Sequence, residues 1–251
     1  YRIIRYNIVS IFGLGVAMKL AIFTITYIVF ELSYDHYHTD SEKVYLVKTH
    51  IKFESGRQSH SYHTAHLLKD YIDRRLSFTE LSCRTRKEEG MARSGDVNMN
   101  DTEAIYIDPE FFKIFRNKQL YGNIEKIREP GNLILTEKFS QKVFGKINCQ
   151  GEIIEFDNNV YTVCGVVDDP PVNTNIKFDI LLPISDYLKK FEGSQNYTAV
   201  RTYLRFYTKP DDKQQYEKLI TGSYHNDGNS STNCTLLPLH DLHQEVTNTK
   251  K

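Results

Sequence analysis

The chain has 251 residues, 40% apolar and 25% charged, which excludes wholesale disorder and leaves room for one large domain or two small ones. Lys plus Arg and Asp plus Glu number 32 each, so no basic excess argues for a nucleic-acid partner. It opens on Tyr1 rather than Met and is read as a piece of a longer protein.

The first element is IVSIFGLGVAMKLAIFTITYIVF, 23 residues from Ile8 to Phe30 interrupted only by small or hydroxylated residues and by Lys19. As a helix it would be about 35 Å long, enough to cross a hydrocarbon layer of ~30 Å with some tilt. Arg2 and Arg5 precede it while Glu31 and Asp35 follow, so the positive-inside rule puts everything after residue 31 outside the cytoplasm. No A-x-A cleavage pattern follows, which favours a retained span over a signal peptide. Lys19 is costly at mid-membrane and points either to a neighbouring span or to snorkelling along a tilted helix. Gly13 and Gly15 would let another helix approach closely. Neither Gly nor Pro occurs between Phe30 and His38, so the helix is expected to continue through ELSYD as a stiff joint.

Beyond the span, Val44–Ile51 alternates as a strand, His63–Arg75 reads as a one-faced helix, and Phe78–Arg84 returns as a strand. Ala104–Ile107 is a short strand, with Asp108-Pro109 opening the helix EFFKIF as cap and first turn. Leu133–Leu135 is a buried-type strand; Thr136 caps the helix EKFSQKVFG and Gly145 closes it. Asp157-Asn158-Asn159 joins Ile153–Phe156 to Val160–Val167 as a hairpin, and the loop DDPPVNTN stops the second strand. Phe178–Leu182 and Arg201–Thr208 are strands, Asp211–Thr221 a helix, Thr235–Leu239 a last strand. A β-α-β unit thus opens the soluble region and another closes it. Neither could bury its apolar faces alone, so the two are expected to share one sheet.

Five segments carry a family resemblance: ELSYDHYHTDSEKVYLV, YIDPEFFKIF, NLILTEKFSQKVFG, VYTVCGVVDDPPVNTNIKFDILLP and LLPLHDLH. In this order after one N-terminal span, from Asn7 to His243, they resemble the FtsX-like permeases of the MacB type, in the form common in Bacteroidetes-like bacteria. The resemblance implies an α+β fold: residues 1–33 as cytoplasmic lead and transmembrane helix, then a discontinuous βαβ-type subdomain (34–90 and 178–251) with an inserted β-rich subdomain (91–177). It implies an inner-membrane protein with residues 34–251 extracytoplasmic. It further implies a permease subunit of an ABC transporter, in which a separate cytoplasmic ATPase drives the outer domain by mechanotransmission. Implied partners are that ATPase, a second permease in a homodimer or heterodimer, membrane lipid, and a periplasmic adaptor or substrate protein. The family has four spans, so spans two to four are expected beyond this chain; Lys19 departs from the usual uniformly apolar pattern.

Chemistry-bearing clusters are sparse. There is neither a phosphate-binding G-x-x-x-x-G-K-[ST] loop nor a G-x-S-x-G elbow, and no catalytic, cofactor or metal residue is assigned. His60, His63 and His66, and His240 with His243, have helical spacing, but a solvated helix terminus explains the first set better than a metal. His36 and His38 beside Asp35 read as a juxtamembrane cap able to titrate near neutrality. Asp168, Asp169 and Asp179 flank a Pro-Pro turn, where aspartates serve the backbone. Cys83, Cys149, Cys164 and Cys234 form no C-x-x-C pair; two disulfides are permitted outside the cytoplasm, buried thiols expected. The alternative function is the ligand-sensing ectodomain of a single-span receptor.

Overall fold

A computed structural model describes residues 2–190, 199–224 and 230–249. It opens with helix α1 (Arg2–Leu32), β1 (Val44–Phe53), β2 (Gln58–Ser61), β3 (Thr64–Ala65), α2 (Leu68–Arg75), β4 (Thr79–Ser94) and β5 (Val97–Ile107). The middle holds α3 (Phe111–Ile114), β6 (Gln119–Gly122), β7 (Asn132–Thr136), α4 (Glu137–Phe144), β8 (Ile153–Phe156) and β9 (Asn159–Val167). It closes with β10 (Ile180–Pro183), α5 (Ile184–Lys189), β11 (Ala199–Phe206), α6 (Lys213–Thr221), β12 (Ser230–Pro238) and α7 (Leu242–Thr249). The fold is mixed α+β, an apolar N-terminal helix followed by a mixed sheet.

One sheet runs through the domain in the order β12-β1-β11-β4-β5-β10-β7-β9-β6. Its first four strands come from the two ends of the soluble region and interleave. β1 and β4 flank β11, and β11 and β12 flank β1, all antiparallel to their neighbours. Each β-α-β unit therefore leaves a gap that the other unit's strand fills, a split β-α-β arrangement. The expectation that the two units share one sheet is met.

Burial explains why the strands read as they do. Val44 and Leu46 enter one core cluster, while Tyr45 and Val47 face the cluster under α2 and α6. Ile134 and Leu181 likewise point to one face of the sheet, and Leu133, Leu135, Ile180 and Leu182 to the other. Strands covered on both faces lose the polar half of their alternation, which is why Leu133–Leu135 is a continuous apolar run.

Local signals set several boundaries. Thr136 Oγ1 accepts the Phe139 N–H at 3.4 Å, and Gly145 (φ 67°) closes α4. Asp157 and Asn158, at φ 47° and 64°, make the tight turn between β8 and β9. Other expectations need correction. The helix expected over 63–75 begins only at Leu68, because Thr64 and Ala65 pair with Val200 and Ala199 of β11. Asp108 does not cap the EFFKIF helix with its side chain; its carboxylate takes the backbone N–H, Nε and Nη2 of Arg84 at 2.7–2.9 Å. The short strand Ala104–Ile107 is the end of an 11-residue strand in a long β4–β5 hairpin.

Candidate functional site

The segment Ile11–Leu32 is the helix in the described residues long and apolar enough to cross a membrane, and its apolar stretch is not buried by the domain. Its threonine hydroxyls are turned inward: Thr24 and Thr26 each donate to the carbonyl four residues back, Leu20 and Ile22, at 2.8 Å. That spares unpaired O–H groups in hydrocarbon. Lys19 sits on the uncovered helix surface.

The stiff continuous helix through ELSYD is not what the chain forms. The helix ends at Leu32, and Asp35 adopts a left-handed backbone (φ 58°). The cause is a competing acceptor: the Asp35 N–H leaves the helix register and donates to the Asn173 carbonyl at 3.1 Å. The chain is held by a side-chain clamp built from three distant segments. From the DDPPVNTN loop, Asn173 Nδ2 donates to the Ser33 carbonyl at 3.2 Å and Oγ at 2.9 Å. Asp35, wholly buried, accepts from Thr174 Oγ1 at 2.5 Å, from the Asn175 N–H at 3.1 Å and from Asn175 Nδ2 at 2.5 Å. From α7, the His243 ring stacks on Tyr34 (centroids 3.5 Å apart, planes 12° apart). Its Nε2 lies 3.1 Å from Glu31 Oε2, on the last turn of α1, and its Nδ1 lies 3.3 Å from Asn175 Oδ1.

A second layer lies beneath. The Arg116 N–H donates to His38 Nδ1 at 3.0 Å, so the ring hydrogen sits on Nε2, aimed at Asp35 Oδ1 3.8 Å away. The His38 ring packs edge-on against Phe115, deep in the core. Burial lowers His38 to about 4 and raises Asp35, with the Thr174 and Asn175 donors partly offsetting the latter. At 3.8 Å the two groups are beyond hydrogen-bond distance, and burial dominates both shifts. Tyr37, whose hydroxyl donates to Thr174 Oγ1 at 3.4 Å, completes the layer.

The joint thus ties the end of α1 to the core through polar contacts on Glu31, Ser33 and Asp35. The sequence singled out His36, His38, Asp35 and His243, but not the loop residues that join them. Backbone carbonyls and amides decide that meeting, and no periodicity announces it.

The other sequence-level clusters do not converge. His60 meets His50 on the sheet edge, the His63 carbonyl accepts from Thr49 Oγ1 at 3.0 Å, and the His66 carbonyl accepts from Arg84 Nη1 at 3.2 Å. Burial, with Arg201 and Arg86 nearby, lowers His63 to about 4. Asp168, Asp169 and Asp179 each accept a different backbone N–H, from Lys118, Lys138 and Glu103. The four cysteines are buried free thiols. Among the described residues no three metal-ligating side chains gather.

Comparison with known proteins follows the same lines. The family profile described as MacB-like periplasmic core domain matches residues 8–222. Among solved structures, the chain is similar to a domain assigned to a permease protein from Porphyromonas gingivalis, with TM-score 0.69 and 17% identity over 81% of this chain and 92% of that one. It is similar to the periplasmic region of MacB from Actinobacillus actinomycetemcomitans, with TM-score 0.54 and 15% identity over 80% and 92%. A third likeness is to the extracellular domain of the noncanonical ABC-type transporter YknZ from Gram-positive bacteria, with TM-score 0.52 and 12% identity over 74% and 98%. No curated protein matches in sequence.

Proposed function

The chain belongs to the MacB-like periplasmic core domain family, and from that membership we propose that it carries movement between an inner-membrane span and an extracytoplasmic domain. The domain is that of an ABC-transporter permease, a transport component, with α1 in the inner membrane and residues 34–251 outside the cytoplasm. The family implies a cytoplasmic ATPase as partner. Our reading is that ATP hydrolysis by that ATPase shifts α1, and that the joint passes the shift to the sheet. The chain itself performs no chemistry in this scheme. The permease acts as a homodimer or heterodimer, and the outer domain meets an adaptor or substrate protein. The single-span receptor reading is set aside, because the matched family is one of permease domains.

One observation carries the proposal: the clamp of Ser33, Tyr34 and Asp35 by Asn173–Asn175 and His243. A chain that merely tethered its domain would need no buried carboxylate at the exit of its span, because burying one costs several kcal/mol unless donors surround it. We keep the division into 34–90 with 178–251 and the inserted 91–177 as part of the proposal. Strand β4 runs across residue 90 and pairs with β5, so we expect both parts to move as one body.

The test places paired spin labels on the outer domain of the full-length permease, with its ATPase, in nanodiscs. An ATP-dependent distance change is expected in the native protein. A Gly-Gly-Gly insertion after Leu32 should abolish it while ATPase binding persists. An unchanged ATP response in the insertion variant refutes transmission through the joint.

A further inference from the structure

The sheet edge formed by β2, β1 and β12 carries a feature that transmission does not use. His50 of β1 and His60 of β2 are direct cross-strand partners, so their side chains leave the same face of the sheet. Their Nδ1 atoms approach to 2.5 Å, with the rings 77° apart. The other nitrogen of His50, Nε2, lies 2.8 Å from Thr235 Oγ1 on β12. Asn233 faces His50 from β12 and, with His50, Lys52, Gln58 and His60, lines a hollow of about 180 Å³.

We propose that His50 and His60 chelate a divalent transition-metal ion, Zn²⁺ or Cu²⁺, through their Nδ1 atoms, with Asn233 and water completing the shell. Two lone pairs aimed at one point repel, and two N–H groups there clash. An Nδ1–H of one ring shared with the lone pair of the other, or a cation between two lone pairs, makes such a meeting favourable. A metal bound at about 2.0–2.1 Å by two tetrahedral nitrogens sets them about 3.3 Å apart, so the rings need to part by less than about 1 Å. A ligating imidazole typically hands its remaining N–H to a fixed acceptor, and Thr235 Oγ1 already stands where the His50 Nε2–H would donate. Imidazole nitrogens select this borderline class over Mg²⁺ or Ca²⁺. The bound ion would clip the four-residue strand β2 to the interleaved half of the sheet.

The probes are ZnCl₂ and CuCl₂, added separately to metal-stripped full chain in detergent near pH 7.5. Calorimetry should give one site per chain, and the Cu²⁺ electron paramagnetic spectrum should show coupling to two equivalent imidazole nitrogens. His60 is exposed, so His60→Ala should keep the circular-dichroism spectrum while weakening binding at least tenfold; His50→Ala should do the same. His36→Ala, outside the pair, should leave the affinity unchanged. Zn²⁺ should also raise the melting temperature of the native chain but not of His60→Ala. No binding up to about 1 mM would reduce the pair to a shared proton and overturn the proposal, as would binding that survives His60→Ala or disappears in His36→Ala.

Discussion

The membrane joint and the core beneath β7–β10 both bury their central groups, yet they are held by opposite means. Under β7–β10 the walls are Leu133, Leu135, Ile180, Leu182 and Phe156, interchangeable in chemistry and specific only in shape. At the joint a wholly buried carboxylate, Asp35, is fixed by the Thr174 hydroxyl and by the main-chain and side-chain N–H groups of Asn175. An apolar core resists compression but tolerates small slips between faces, because dispersion has little direction. A directed hydrogen-bond cluster in low dielectric does not slip; it is either made or broken. A coupling element benefits from the second behaviour and a scaffold from the first.

Removing a large side chain from the core should therefore cost most. Phe156→Ala, at a fully buried site, is expected to lower unfolding free energy by about 3–5 kcal/mol, seen as a lower urea midpoint with an unchanged slope. A loss below 1 kcal/mol would erase the contrast with the joint. Acid should act next. His38 is lowered to about 4 by burial, so its neutral form stabilises the fold fully above about pH 6.5, and that contribution drains away as pH falls toward 4. At most about 3 kcal/mol is involved. His38→Gln should flatten this part of the pH–stability curve measured by denaturation. Asp35 works the other way: its raised pKa makes the fold bind that proton more tightly than the unfolded chain does. Its contribution therefore grows as pH falls from neutrality toward about 4 and shrinks on the way back up. Asp35→Ala strands the Thr174 and Asn175 donors and is expected to cost about 1–3 kcal/mol locally. Hydrogen exchange at residues 173–176 should accelerate while the core amides keep their protection. The smallest effect belongs to His243→Phe, which keeps an aromatic face on Tyr34 but loses both polar contacts. It should cost about 1 kcal/mol or less of stability while visibly reducing the ATP-driven distance change. Equal loss in both readouts would mean that the clamp only stabilises.

How far the sequence reveals each region follows from the same contrast. The interleaved sheet was legible because Val44–Ile51 and Arg201–Thr208 alternate and each lacked a cover, and Thr136, Gly145 and Asp157-Asn158 carry local turn and cap chemistry that acts wherever they stand. The long β4–β5 hairpin was not: its outer half, KEEGMARS, buries only Ala92, so no apolar stripe marks it. The helices α5 and α7 are only six and eight residues long and form against existing surfaces rather than by propensity. The joint was legible only in its parts. Asp35, His38 and His243 stand out as residues, but their meeting depends on the Asp35 N–H choosing the Asn173 carbonyl over its own helix. The missing Gly and Pro in that stretch argued for a straight helix; the tertiary acceptor overrode it.

The interleaving of the sheet sets an order of events during synthesis. Tyr45 finds its ladder partner at Pro238, so β1 emerges ~190 residues before the strand that closes its edge. At about 5–20 residues per second, that strand waits on the order of 10–40 s beside the membrane with its backbone donors and acceptors open. The half of the sheet nearest the span in sequence is thus the last to be completed, and a nascent chain stalled before β12 exposes a ready template for mispairing.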